Sequence, residues 1–385
     1  MSKITKFLKK KRRSILQLFG SLIMLALAAG IGIMLGLKKT NDINKYINEA
    51  VDYLAEENWV ALYQYSELED STFINEIEFG KAAEALYGKI TEEKVNIVNV
   101  DEKEKNATVT VSYKSDDGSE KTCELEFDKK DKKNYKFFPQ WKLNIDDMII
   151  SDCKLVIKKG FKVYLDGIEL MADNADIASG NENGTETGID VYNISRIFKG
   201  EHVIYLQREG LEVIEASAVW NENGSEYKMN ENEIKLMQSQ KDELNSSSKN
   251  VVIGMYAAIF EESGTEGIKQ YFSQTEDILG ALDGVYENML SAIKPDDGST
   301  LNSIDIISFN YDNIEYTFPD KADVKVSFEC SFKATGPRNK NGGVRERYEG
   351  TSGSEIMLSF VKSDGAWRCE KVDMECIDYS KKEEE

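Results

Sequence analysis

Three short motifs in the last third of the chain have the residue types of a penicillin-binding active site. Such a site has the motifs S-x-x-K, S-x-N and K-[ST]-G in this order, and the serine of the first motif attacks an acyl carbonyl. The corresponding stretches here are Ser291-Ala292-Ile293-Lys294, Ser308-Phe309-Asn310 and Lys340-Asn341-Gly342. The third motif lacks its serine or threonine, and all three lie within residues 291–342. This span is too short for a transpeptidase fold to position them, so we do not expect this chemistry.

His202 is the only histidine, so a Ser-His-Asp hydrolase would have to use it as the base. It follows the turn Lys199-Gly200 inside a predicted strand, which is the usual setting of a structural histidine. The two α+β domains predicted below contain no histidine. We therefore predict that the protein is not an enzyme, with no catalytic residues and no cofactor.

The cysteine spacing predicts no metal site, because the chain has no C-x-x-C pair. Cys123 and Cys330 alternate with apolar residues, so we expect both to be buried in strands. A disulfide between Cys330 and Cys369 on neighbouring strands stays open as an alternative outside the cell. The five cysteines are Cys123, Cys153, Cys330, Cys369 and Cys376.

An uncharged apolar stretch runs from Ile15 to Leu37. As a helix of about 23 residues it would be about 34 Å long, enough to cross a hydrocarbon core of about 30 Å. The basic residues between Lys3 and Arg13 would keep the N-terminus in the cytoplasm. The sequence therefore predicts a single-pass signal anchor in the cell membrane, with the C-terminal ectodomain extracytoplasmic.

Two further features of this stretch suggest alternatives. Ala26-Leu27-Ala28 fits a signal-peptidase site, although the residues that follow it remain apolar, which favours an uncleaved anchor. Ala28, Gly32 and Gly36 are four residues apart, so they would form a small-residue ridge for packing two membrane helices. A homodimer formed through this ridge is the less favoured interpretation.

The charge of the chain limits its partners. It has 69 acidic and 48 basic side chains, a net charge of −21. Such a protein repels nucleic acid and other polyanions. We therefore expect neutral, cationic or protein partners, such as an envelope protein or a cell-wall component, and no nucleic acid.

The hydrophobic period predicts helices followed by antiparallel strands, twice over. Between these two copies, residues 152–221 show only short strands and turns, including the Asp166-Gly167 hairpin signal. The fold class is therefore α+β. The predicted segments are a cytoplasmic basic segment 1–13, a transmembrane helix 14–38, an α+β domain 40–148, an all-β module 152–221, a hinge with a helix 222–249, a second α+β domain 250–378 and a charged tail 379–385.

Aromatic residues recur in both α+β domains and offer two interpretations. They would line a pocket for a small molecule or a peptidoglycan fragment, or they would simply pack in the core. These residues are Trp59, Tyr63 and Trp141 in the first domain and Tyr256, Tyr271 and Trp367 in the second.

Three of these aromatic residues lie in motifs that resemble those of the nuclear-transport-factor-like (cystatin-like) fold. The motifs are Glu57-Asn58-Trp59 between helices, and Trp141-Lys142 and Trp367-Arg368 in the last strands. The resemblance implies two cone-shaped domains, each with helices on a curved antiparallel sheet. The segments 163–167 and 198–203 are similar to small bacterial β modules.

Taken together, this order of segments resembles the TcaA-type envelope proteins of Gram-positive bacteria, which are associated with glycopeptide response. The resemblance implies a non-enzymatic extracytoplasmic protein that presents tandem domains to cell-envelope partners, as a scaffold or stress-response component. The alternative is a ligand-binding module that uses the cone pockets. That family often begins with a zinc ribbon of paired C-x-x-C motifs, and only residues 1–13 precede the predicted transmembrane helix, so functions of the ribbon do not carry over.

Overall fold

A computed structural model describes residues 22–33, 42–91, 95–130, 140–171, 177–179, 188–337 and 345–379. The chain divides into two compact units. The N-terminal unit comprises residues 1–205 and 215–229, and the C-terminal unit comprises residues 206–214 and 230–385. The α+β class predicted from the sequence is confirmed, and the predicted domain boundaries stay predictions.

The predicted membrane-spanning helix is wrong. Within the apolar stretch the described helix, α1, covers residues 22–33. Across the described part of the chain, no helix is both long and apolar enough to cross a membrane.

The N-terminal unit places three helices against one sheet. The helices are α2 (Ile43–Ala55), α3 (Trp59–Gln64) and α4 (Glu76–Tyr87), and the antiparallel sheet has the order β1 (Asn96–Glu102), β2 (Asn106–Lys114), β3 (Glu120–Lys129) and β4 (Trp141–Asn144). Alternate residues of β2 are buried, as expected for a sheet with one covered face. The Asn75 side chain accepts hydrogen bonds from the amides of Ile77 and Glu78, which fixes the start of α4.

The same unit contains most of a β module built from two further four-stranded sheets. One has the order β12 (Glu226–Lys228), β5 (Ile149–Lys158), β9 (Ile189–Phe198) and β8 (Ile177–Ser179), and the other has β11 (Ile214–Trp220), β10 (Gly200–Gln207), β6 (Lys162–Leu165) and β7 (Ile168–Glu169). Asp166 and Gly167 both have positive φ, so the hairpin predicted from this dipeptide forms. Phe198 joins the core of the helices and β1–β4.

The C-terminal unit repeats the order of helices followed by a four-stranded meander. Its helices are α5 (Gln238–Glu261) and α6 (Glu276–Ile293), and its antiparallel sheet has the order β13 (Thr300–Thr317), β14 (Lys321–Thr335), β15 (Arg347–Ser363) and β16 (Ala366–Asp373). Alternate residues of β14 are buried over most of its length. Helix α5 runs without a break through Asn245-Ser246-Ser247-Ser248, which the sequence assigns to a hinge.

The five cysteines are free thiols. Cys330 lies on β14 and Cys369 on β16, with β15 between them, so the two are not on neighbouring strands. Two strand spacings amount to about 9.6 Å, which exceeds the Cα separation that a disulfide spans. Each thiol instead donates to a backbone carbonyl, Cys330 to Ser352 at 3.3 Å and Cys369 to Lys371 at 3.2 Å.

We expect no peptide that links Cys330 to Cys369 in the oxidised, purified full chain, because β15 separates the two strands. The measurement is peptide mapping by mass spectrometry with and without reductant. Detection of this linked peptide in the folded protein would contradict the strand order.

Candidate functional site

The three predicted pocket aromatics of the N-terminal unit belong to its core. Trp59 stacks on Tyr87 with ring centroids 5.9 Å apart. Tyr63 is buried and donates a hydrogen bond of 2.9 Å from its hydroxyl to Asp70. Trp141 is buried beneath the Lys129 ammonium, 4.9 Å from the ring centroid. The pKa of Tyr63 is raised above its usual range, mainly by burial and to a smaller extent by the hydrogen bond to Asp70.

The three aromatics of the C-terminal unit do not share one pocket. Tyr256 is buried against Phe328, and burial raises the pKa of its hydroxyl. Tyr271 ends a short 3-10 helix and is partly exposed. Trp367 is buried on β16, and its indole N–H donates to Gln240 Oε1 of α5 at 3.1 Å. Trp367 also lines a cavity of about 240 Å³ in the same unit.

The predicted membrane-helix packing residues are only partly described. Ala28 and Gly32 lie on α1 and are exposed, and a Cβ added at Gly32 would meet nothing within 4 Å. Gly36 lies outside the described residues. The described part of this stretch therefore shows no packing against the ridge.

The N-terminal unit has an open groove of about 490 Å³, which we call the α4 groove. One wall is the face of α4 with Ala82, Ala85 and Leu86, and the opposite wall is the edge of β3. Its lining also includes the end of β4 and the segment after it, together with the turn between β9 and β10. The full lining is Ala82, Ala85, Leu86, Tyr87, Glu124, Leu125, Glu126, Leu143, Asn144, Ile145, Asp147, Met148, Lys199, Gly200 and Asn221.

The α4 groove combines an apolar floor with an acidic rim. Leu125, Leu143 and Ile145 are buried at its base. Leu86 is 59% exposed, although it is a large apolar residue beside other apolar side chains. Glu124, Glu126 and Asp147 are exposed, against the single exposed cation Lys199 among the lining residues. An open apolar surface with a charged rim is typical of an interaction site.

A smaller cavity of about 60 Å³ lies beside the groove and shares Ala82, Ala85, Lys199 and Gly200 with it. His202 lines this cavity and is buried. Its Nδ1 lies 2.7 Å from Asp166 Oδ2, and its Nε2 lies 3.0 Å from the carbonyl oxygen of Phe198. Each ring nitrogen therefore has an acceptor oxygen within hydrogen-bonding distance.

This arrangement has two members of a hydrolytic triad but not its geometry. In a triad, the Nε2 atom of histidine faces the hydroxyl of the nucleophile. In this chain the Phe198 carbonyl occupies that position. Asp166 also accepts a 2.9 Å hydrogen bond from the amide of Val203, so the carboxylate ties the β6–β7 hairpin to β10. We call this set of contacts the Asp166–His202 clasp.

The structure does not assemble the three penicillin-binding motifs into a site. Ser291 lies on α6 and donates to the carbonyl of Glu287 at 2.9 Å. Ser308 lies on β13, and residues 340–342 lie outside the described residues. Among the residues with described positions, no group of three or more His, Cys, Asp or Glu side chains could hold a metal ion.

Cys123 lies on β3 beside the groove. The pKa of its thiol is raised to about 12, mainly by burial and to a smaller extent by the charge of Glu124. Burial likewise raises the pKa of Tyr113, on β2, to about 12. Both groups therefore stay neutral at physiological pH.

No sequence pattern indicates the groove, because its lining comes from five separate segments that no motif links. The one usable signal in the sequence is Leu86, an apolar residue out of phase with the buried face of α4.

No protein-family model matches the chain, and no curated protein matches it. Among solved structures, the chain is similar to the intermembrane space region of chloroplast protein ARC6, with 12% identity, 37% of this chain and 99% of that chain covered, and a TM-score of 0.26. It is also similar to an Ntf2-like protein involved in plasmid conjugation, with 9% identity, 75% of this chain and 78% of that chain covered, and a TM-score of 0.21. At these TM-scores neither similarity carries an argument about fold or function.

We expect Asp166→Asn to lower the free energy of unfolding by about 1–3 kcal/mol, because the carboxylate oxygen that faces His202 Nδ1 in a buried site is replaced by an amide nitrogen. The asparagine oxygen can still accept from Val203, whereas the amide NH2 cannot accept from Nδ1. The measurement is urea denaturation of the full chain, with the exposed Asp147→Asn as the control for loss of a negative charge. Equal stability of both variants would contradict the clasp.

We expect Cys123 to react with iodoacetamide far more slowly in the folded chain than in urea. Its raised pKa keeps the thiol protonated at pH 8, and only the thiolate attacks. Mass mapping of the Cys123 peptide over time gives the two rates. Because the pKa of this thiol is higher in the folded chain than in the unfolded chain, its contribution to the free energy of unfolding is largest below the usual thiol pKa. That contribution falls as the pH rises above the usual value. Equal rates in the folded and unfolded chain would show that the thiol is exposed.

Proposed function

We propose that this chain is a non-enzymatic binding protein of the bacterial cell envelope, of the TcaA type, that acts outside the cytoplasm. Its N-terminal unit receives a basic, apolar segment of a partner protein in the α4 groove. The observation that carries this proposal is the groove itself, with an exposed Leu86 above a buried apolar floor and three carboxylates at the rim.

The chemistry of the groove favours a protein segment over a small acidic ligand or a polyanion. Exposed apolar area in a soluble unit contributes free energy when it is covered, at about 25 cal/mol for each Å². Glu124, Glu126 and Asp147 attract cations and repel phosphate groups. The net charge of −21 adds to this repulsion, which supports the expectation of no nucleic-acid partner.

The Asp166–His202 clasp supports the non-enzymatic part of the proposal. Both nitrogens of the only histidine already face acceptor oxygens within 3.0 Å. The ring therefore serves to fix the β6–β7 hairpin.

A second candidate function rests on the cavity beside Trp367. This cavity of about 240 Å³ in the C-terminal unit is lined by Trp367 and Tyr316 and by the charged side chains of Arg208, Asp320 and Lys362. Arg208 pairs with Asp320 at 3.0 Å, and Lys362 donates to Gln240 at 2.6 Å. An aromatic wall with both charge signs suits a small zwitterion such as an amino acid or a wall-peptide fragment.

The test is site-specific photo-crosslinking in cells of the full chain. We expect Leu86→p-benzoylphenylalanine to give a discrete crosslinked partner protein, because position 86 lines the groove. The matched control is Ile77→p-benzoylphenylalanine, on the same helix and 67% exposed but away from the groove.

Equal crosslinking at positions 86 and 77, or none at position 86, would overturn the groove as the binding site. Release of soluble fragments from purified peptidoglycan by the purified chain would overturn the non-enzymatic part. A thermal shift with wall-peptide fragments that is lost in Trp367→Leu would instead favour the second candidate.

A further inference from the structure

One edge of β3 is only partly paired. On one side β3 pairs with β2 along almost its whole length, from Glu120 with Lys114 to Asp128 with Asn106. On the other side β4 pairs only with residues 126–129 of β3. Because β4 ends at Asn144, residues 120–125 have no neighbouring strand on that side among the described residues.

The direction of each peptide group follows from two hydrogen bonds at the end of β3. The Lys129 amide donates to Lys105, on the β2 side, and the Lys130 amide donates to Gln140, on the β4 side, each at 2.8 Å. Peptide groups alternate in direction along a strand. Those of Thr122 and Glu124 therefore point away from β2, toward the open edge.

The open edge is also a wall of the α4 groove. Glu124, Leu125 and Glu126 line the groove, with Leu86 of α4 on the opposite wall. A chain that paired with Thr122 and Glu124 would thus place alternate side chains over the apolar floor. The groove and the edge are parts of one surface.

We propose that the partner segment binds as an added β-strand on this edge of β3, extending the sheet β1–β4. This inference rests on the proposed function and specifies its binding mode. The segment is extended, with apolar residues on the side of the floor and Lys or Arg at the alternate positions. Its backbone hydrogen bonds to Thr122 and Glu124 supply affinity, and its alternating side chains supply specificity.

Charge complementarity selects this occupant. The exposed carboxylates of Glu124 and Glu126 lie on the face of β3 opposite the buried Leu125, where the alternate side chains of an added strand would point out of the groove. Opposite charges on adjacent strands stabilise a sheet, whereas like charges destabilise it. A second copy of this chain, with its net charge of −21, meets repulsion at the same place.

The test uses the full chain and three labelled heptapeptides of alternating Lys and Val. One is unmodified, one carries N-methyl groups on the valines, and one carries them on the lysines. In an antiparallel addition the lysine amides face β3, because their side chains lie on the same side of the sheet as that of Glu124. We expect methylation of the lysine amides to weaken binding at least about tenfold and methylation of the valine amides to spare it. The measurement is fluorescence anisotropy.

Two variants locate the binding. We expect Thr122→Pro to abolish it, since proline removes an amide on the open edge without breaking a bond to β2. Glu124→Lys should weaken binding and reduce its salt dependence. The matched control Glu102→Lys changes an exposed carboxylate on β1, at the opposite edge of the sheet, and should bind as the parent does. Circular dichroism checks the fold of each variant.

Equal effects of the two methylation patterns, or no binding of the unmodified peptide, would overturn strand addition. Self-association of the chain that Thr122→Pro prevents would overturn the choice of occupant. These failures are distinct from failure of the proposed function, because crosslinking at position 86 reports occupation of the groove whatever conformation the partner adopts.

Discussion

The packing of Phe198 against Phe79 is the contact on which the rest of the N-terminal unit depends. The rings meet edge to face with centroids 5.7 Å apart, and Phe198 is buried in the core that the helices form with β1–β4. Phe198 is the last residue of β9, so its burial fixes where the chain passes from one sheet of the β module to the other. The next residue, Lys199, donates its amide to Met148 at 2.7 Å. The β module therefore supplies a wall of the α4 groove.

The Asp166–His202 clasp secures the same region from the other side. His202 lies on β10, and its Nε2 faces the carbonyl of Phe198, the residue that enters the core. Its ring also lies 5.2 Å from that of Trp220. A lone histidine suggests catalysis in a sequence, but here the buried pair of Asp166 and His202 connects three segments. Burial of these polar groups is tolerated because both ring nitrogens and both carboxylate oxygens have hydrogen-bond partners.

The short last strand gives the unit its open edge. β4 has four residues, whereas β3 has ten, and an unpaired edge normally invites uncontrolled association. Charged residues at Glu124 and Glu126 restrict which chains can pair there. The meander of the C-terminal unit is similar in this respect, since β16 pairs only with Met357 to Ser363 of the seventeen-residue β15. The two units therefore share an order of elements and a last strand that covers only part of its neighbour.

Local features of the sequence determined much of the architecture. The alternation of apolar residues around Cys123 and Cys330 predicted β3 and β14, and the Asp166-Gly167 dipeptide predicted the hairpin, because these depend on neighbours a few residues apart. The apolar stretch led to a spanning helix that the structure contradicts, and Cys330 and Cys369 were assigned to neighbouring strands although β15 separates them. The sequence offers two interpretations, pocket lining or core packing, for Trp59, Tyr63, Trp141, Tyr256, Tyr271 and Trp367. Only the tertiary structure decided that most are core residues and that the groove lies beside α4, because burial and strand pairing depend on contacts between residues far apart in the chain.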